Sequence, residues 1–481
     1  MTAEGLLDNP YDNVKADIPT IGSRLWNRFK DLTRPAILVK NAPARKELRR
    51  TAYLDGIRGF AAFLVYWQHH QAWARYSINI NDVFENGFGY HGKHYLSTFP
   101  IIRLMFTGGH FAVAVFYVLS GYVLTAKPLQ LIQAGEYEKL GDNVASALFR
   151  RWLRLWIPVA ICTFVYMSSL HLFGIWVHLD HKEEFRDDLW LWYSVLKNFS
   201  FVFDTSGNPY FPLNVQIWSI PIEMRGSIVV YTVVMALSRC TRNARLWLEA
   251  GLMFYFMYIA DGAYYAMFIG GMFLSDLDLL ALSNDLPRWL NRLSDVKELI
   301  FYHFLAAAFL LAGVPSNSRE IDALKENYGW YYMSYLVPQA VFDYKWFFLF
   351  WAAMFFVSAT RHISWLKRFF EIPFNQYLGK ISFAFYLVHV PILAILGDRM
   401  YAATGWVRKE HLDHFGGWIN AMPLSKGGIV GLELSFLVPQ IILLPLSLWM
   451  AEIVTKLVDE PSVRFAQWFY RKTLNPAAVK S

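Results

Sequence analysis

The chain has 481 residues, of which 55% are hydrophobic, 18% aromatic and 17% charged, with a net charge of +7. A soluble protein carries about 25% charged residues, so this balance excludes an ordinary soluble domain and reads as membrane. The basic excess is no nucleic-acid signature, because it clusters beside apolar stretches where it sets orientation. The two cysteines, Cys162 in an apolar run and Cys240 in a basic loop, support neither a disulfide framework nor a zinc site.

Residues 1–50 are polar and strongly basic, with Lys15, Arg24, Arg28, Lys30, Arg34, Lys40, Arg45, Lys46, Arg49 and Arg50. They contain no apolar core of the length that a signal peptide needs, so the first membrane helix is expected to direct insertion. Residues 21–32 read either as an interfacial amphipathic helix or as part of a basic tail. Apolar stretches of spanning length then fall at 57–75, 108–126, 152–177, 216–237, 245–260, 263–281, 298–315, 345–360, 380–397 and 428–456. These predict an all-α, polytopic transmembrane helix bundle of about ten spans. Its membrane domain would cover 51–470, with a tail at 471–481.

Arginine and lysine flank alternate loops. Arg150, Arg151 and Arg154 precede the third stretch, Arg239, Arg242 and Arg245 follow the fourth, and Arg361, Lys367 and Arg368 follow the eighth. The positive-inside rule then predicts both termini in the cytoplasm of a multi-pass protein of the endomembrane or plasma membrane. The loop at 282–297 is mixed in charge, the opposite loop at 178–189 is rich in acidic residues, and Asn198-Phe-Ser200 on that opposite side is a glycosylation sequon.

Arg58 and His69 stand eleven residues apart in the first apolar stretch. Eleven residues make about three turns, so both fall on one helix face, roughly 16 Å apart in height. A titratable imidazole near mid-bilayer is expensive and marks a functional site. Counting helix rise from each end of the membrane predicts that Glu223 lies at the depth of His69, where a carboxylate could pair with the ring and orient it. Ser382, Tyr386 and His389 recur on one helix face.

Five motifs occur in order: Arg58-x10-His69, Phe116-Tyr-Val-Leu-Ser-Gly-Tyr122, Arg151-x-x-Arg154-Leu-x-x-Pro158, Trp218-Ser-Ile-Pro-Ile-Glu223 and Gly379-Lys-Ile-Ser-Phe-Ala-Phe-Tyr-Leu-Val-His389. Together they resemble the acyltransferase 3 membrane O-acyltransferases over about residues 50–470. Met-Arg-Gly-Ser after Glu223 is most similar to the fungal branch. Tyr117 and Phe383 exchange one aromatic of the family pattern for another, and Pro221 sits inside the fourth motif. The resemblance implies an acyl group, expected to be acetyl, moving from acyl-CoA to a hydroxyl of a secondary metabolite or carbohydrate.

Combined with the residue chemistry, the expected catalytic set is His69 as general base or nucleophile, Glu223 as its orienting partner and Arg58 as a thioester or phosphate contact. Arg151 and Arg154 are expected to anchor CoA phosphates, which suit the planar guanidinium fork. Ser120, Trp218, Ser382, Tyr386 and His389 are expected along the substrate path. Neither a metal nor a bound cofactor is implied beyond the acyl-CoA donor; the other partners expected are a hydroxylated acceptor and the bilayer. The rival is a proton-coupled small-molecule transporter using His69, Glu223 and His389 as a relay.

Overall fold

The computed structural model describes residues 30, 33–35, 48–76, 84, 86–89, 92–179, 182–204, 209–316 and 318–474. They divide into one unit within 1–45 and another within 46–481. The expected interfacial segment at 21–32 lies outside the described residues, Lys30 apart.

The second unit is helical, with no strand among the described residues. Its main helices are α1 (Ala52–Ala74), α2 (Gly109–Gln133), α3 (Tyr137–Phe173), α4 (Phe185–Phe199), α5 (Ser219–Leu237), α6 (Arg242–Phe254), α7 (Ala263–Leu282), α8 (Lys297–Ala312), α9 (Tyr344–His362), α10 (Ser364–Phe370), α11 (Pro373–Ile392), α12 (Asp398–Thr404), α13 (Leu434–Val454) and α14 (Glu460–Thr473). Every apolar stretch read from the sequence is helical over most of its length, though 175–177 and 428–433 are not, and α14 runs to Thr473.

Among the described residues, six helical segments are long and apolar enough to cross a membrane: Gly109–Gln133, Tyr137–Phe173, Pro212–Leu237, Ala263–Leu282, Pro373–Thr404 and Leu434–Thr473. The pair α9 and α10, bent by 100°, brings the number to seven if it forms one broken span. The expected count of about ten goes beyond these. The helix at 242–259 carries Arg242, Arg245 and Glu249, α8 has 16 residues, and α1 is polar. In α1, Asp55, Arg58, Gln68, His69, His70 and Gln71 interrupt the apolar run, yet 14 of its 23 residues are buried. Its polar side chains therefore meet protein, the arrangement that makes them tolerable within a bundle.

Packing of α1 against α11 fixes the architecture around them. A Cβ on Gly59 would lie 2.3 Å from the Gly379 nitrogen, and one on Gly379 would lie 2.3 Å from the Asp55 carbonyl oxygen. Only glycine lets the two backbones touch, the small-residue packing that joins helices where apolar burial against lipid gains little. The contacts keep nearly the same sequence offset along their length, between 319 and 324. Gln376 Nε2 donates to the Ala52 carbonyl at 2.9 Å, Arg58 Nη2 donates to the Gly379 carbonyl at 3.0 Å, and Tyr66 stacks on Phe385 at 5.2 Å. Residues advance together along both helices, so α1 and α11 run parallel.

Gly59→Ala should therefore lower the thermal unfolding midpoint in detergent, at a cost of about 1–3 kcal/mol, as overpacking of a closed contact does. Gly141→Ala, in α3 with nothing within 4 Å of its Cβ, should raise it by about 0.5–1 kcal/mol through helix propensity alone. Equal stabilisation by both alanines would show that the α1–α11 backbone contact is absent.

Candidate active site

Ten residues separate Gly59 from His69, and ten separate Gly379 from His389. Two parallel helices touching at the glycines must bring the two histidines level. They meet with His69 Nδ1 2.8 Å from His389 Nε2, the rings nearly coplanar in stacking at 5.1 Å and 12°. His389 is 1% exposed, and His69 is half-buried.

The hydrogen-bond pattern assigns the protons. His389 Nδ1 lies 3.1 Å from the Phe385 carbonyl, which can only accept, so Nδ1 carries the hydrogen. His389 Nε2 then holds a lone pair and accepts from His69 Nδ1–H. That leaves the lone pair of the His69 ring on Nε2. The Gln216 side chain reaches this ring, and His110 stands near enough to interact with it electrostatically.

The wall opposite is a 3₁₀ turn, Pro212–Trp218, that leads into α5. Tyr386, one turn before His389, donates its hydroxyl to the Gln216 carbonyl and takes a hydrogen bond from Ser219 Oγ at 2.8 Å. Asn214 Nδ2 donates to the Leu387 carbonyl at 3.2 Å. These bonds fasten the turn to α11 and set Gln216 beside the histidine pair. A cavity of about 570 Å³ adjoins the same turn, lined by Trp176, His178, Asp188, Trp192, Pro212 and Leu213 among others.

Glu223 is not the partner of His69. It accepts from Ser120 Oγ and forms an ion pair with Arg151, whose Nε donates to Ser227 Oγ at 3.0 Å. Arg151 and Glu223 are 12% and 17% exposed, so each mainly neutralises the other. The depth estimate failed because α5 meets α11 a turn below the histidines, with Ser219 already level with Tyr386. This places Glu223 further along the span, a turn of α5 beyond the Ser219 that touches Tyr386.

The remaining expected residues divide between the two neighbourhoods. Arg58 is 40% exposed, pairs with Asp55 at 3.1 Å and stands at the glycine end of α1. Arg154 is exposed and forms no ion pair among the described residues, while Arg58 and Asp459 are near enough to act on its charge. Ser120 belongs to the Glu223–Arg151 cluster. Ser382 Oγ donates back to the Gly379 carbonyl at 3.0 Å, a bond internal to α11. Trp218 packs on Tyr264 and Trp346, at 6.1 and 6.0 Å, within an aromatic cluster.

Sequence reasoning gave Gln216, Ser219 and His110 no role, and set His389 on a path rather than in contact with His69. The repeated Gly-x9-His spacing held that contact, but it becomes legible only once the two helices are known to run parallel.

Over residues 51–446 the sequence matches the model of an acyltransferase domain, acyltransferase 3. It is 28% identical to O-acetyltransferase PaAT-1 of Phomopsis amygdali over 467 residues, covering 89% of this chain and 86% of that protein. It is 23% identical to acyltransferase clz18 of Cochliobolus lunatus over 428 residues, covering 77% and 88%. No solved structure is significantly similar. With a helical membrane architecture and a family match across most of its length, this chain belongs to the acyltransferase 3 family of membrane acyltransferases.

Proposed function

We propose that the protein moves an acetyl group from acetyl-CoA to a hydroxyl of a small molecule or carbohydrate, with His69 Nε2 as the general base. The His69–His389 contact carries this reading. It leaves a lone pair on Nε2 of one imidazole, beside Gln216, while the other nitrogen is committed to a buried neighbour. The acceptor hydroxyl loses its proton to Nε2 as its oxygen attacks the thioester carbonyl, and CoA leaves as the thiol once it regains a proton. The name of the Phomopsis relative, an O-acetyltransferase, supports both the acetyl group and the oxygen acceptor.

Arg58 and Arg154 form the donor end. Both retain exposed guanidinium surface, and Arg58 lies about 16 Å below His69 by helix rise. A CoA molecule bound by its phosphates there extends its long flexible arm toward His69. Arg151, committed to Glu223, serves the fold of this region instead of the phosphates. The acceptor enters through the cavity beside the 3₁₀ turn, at the other end of α1. The basic flanks favour a cytoplasmic donor end, with both termini on that side, in an endomembrane or plasma membrane. Secondary metabolism fits a hydroxylated small-molecule acceptor.

Purified protein incubated with radiolabelled acetyl-CoA and candidate alcohols tests the reading. His69→Ala should abolish transfer, and His389→Ala should lower kcat by about 10²–10⁴-fold, the worth of a well-oriented general base. His389→Gln keeps an acceptor for His69 Nδ1–H and should restore part of that loss. Transfer undiminished in His69→Ala would remove the mechanism.

The two arginines of the third motif should separate. Arg151→Ala leaves a buried carboxylate unpaired and should cost about 3–5 kcal/mol of stability, read from unfolding. Arg154→Ala should leave the unfolding midpoint unchanged and raise KM for acetyl-CoA. A reversed pattern would assign CoA phosphate binding to Arg151.

A further inference from the structure

A second cavity, about 1010 Å³, opens between α6, α7, α8 and α9. Its wall is apolar along most of its length, with Met253, Phe273, Leu277, Phe304, Phe350 and Phe355. Phe254, Tyr258 and Leu293 on its rim are 55%, 40% and 41% exposed, so the cleft opens sideways through an apolar mouth. None of His69, His389, Gln216, Arg58 or Arg154 lines it.

One end is polar. Tyr53, Tyr122, Asp278, Lys297 and Arg361 meet there, at the Ala52 end of α1. Asp278 is taken up by Arg361 and by the Tyr122 hydroxyl, at 2.7 Å from the latter. Lys297 is exposed and has no ion pair among the described residues. Arg50 is also exposed and stands near enough to Tyr122 and Arg361 to act on their charges. Asp295 and Glu298 flank Lys297 in the sequence but do not line the cleft. The acidic group in the lining is thus neutralised, and the positive charges of Lys297 in the lining and of Arg50 near Tyr122 and Arg361 are left over.

We propose that this cleft is a binding site for an anionic membrane phospholipid, its acyl chains along the aromatic wall and its phosphate against Lys297 and Arg50. The shape fits because the mouth is rimmed by exposed apolar side chains, and the volume is that of a site able to enclose a large ligand. The charge fits because basic pockets between membrane helices select anionic headgroups. A soluble phosphate compound would meet the cations but leave the long apolar wall uncovered. A zwitterionic lipid would cover the wall but gain little at Lys297.

Native mass spectrometry of the full chain, released from micelles containing phosphatidylinositol and phosphatidylcholine in equal amounts, tests the proposal. The wild-type protein should retain one phosphatidylinositol in preference to phosphatidylcholine. Lys297→Glu, a change at an exposed position, should reduce that preference by at least about fivefold, the factor expected of one basic group near an anionic lipid. Ala281→Trp, which fills the polar end of the cleft, should reduce retention of both lipids. Excess soluble inositol phosphate should displace neither. Undiminished preference in Lys297→Glu, or equal retention of the two lipids by the wild-type protein, would overturn the proposal. So would retention unchanged by Ala281→Trp in a protein whose unfolding midpoint matches the wild type.

Discussion

Backbone contact between α1 and α11 is the constraint on which the candidate site depends. The glycines at 59 and 379 remove the side chains that would hold the helices apart, and parallel packing then fixes every level above them. His69 and His389 meet because each lies the same distance from its glycine. The same contact satisfies polar groups that lipid could not, since Arg58 and Gln376 donate across it to main-chain carbonyls. Small residues and interhelical hydrogen bonds supply association where apolar burial contributes little.

The far end of α1 is held differently. Arg75, fully buried, pairs with Glu433 and lies 4.8–5.2 Å from the rings of Phe84, Trp406 and Phe436. Gln71 Nε2 donates to the Gly431 carbonyl at 2.8 Å, and the Gly431 nitrogen donates to Glu433 at 3.0 Å. One turn below, His70 Nδ1 meets the Tyr401 hydroxyl at 2.8 Å, and Gln440 links Tyr401 to Tyr66. His70 thus faces α12 and α13 while His69 faces α11, as the ~100° between successive helical residues requires. A buried ion pair brings little net stability but is costly to break, so this end resists separation while specifying which loop covers it.

Much of this was legible in the sequence. Helix positions followed from apolar runs, and Arg58, His69, Glu223 and His389 all occupy buried or partly buried positions in the bundle. Partner choice was not legible, because it depends on which helices touch and in which direction. Glu223 looked level with His69, but Ser219, a turn before it, already meets Tyr386, a turn before His389. The spanning count also ran ahead of the helices, because periodicity marks α1, α6 and α8 as helical without saying whether lipid or protein surrounds them. Asp55, Arg58 and His69 read as a membrane segment only if neighbouring helices shield them, and shielding is a tertiary fact.

The exchange of partners has a chemical logic. Each carboxylate buried without a cation would impose a large cost, and Glu223 escapes it by pairing with Arg151. Had Glu223 paired with His69 instead, Arg151 would have lacked its counter-ion within the same region. A neutral imidazole beside a neutral imidazole needs no counter-ion, yet it still fixes a tautomer, because the chain of donors ends at the Phe385 carbonyl. When the proposed base takes a proton, the positive charge forms on a ring whose Nδ1–H already points at the lone pair of His389. The second histidine thus does the orienting work of a carboxylate while keeping the resting site uncharged, which suits a group held inside a bilayer.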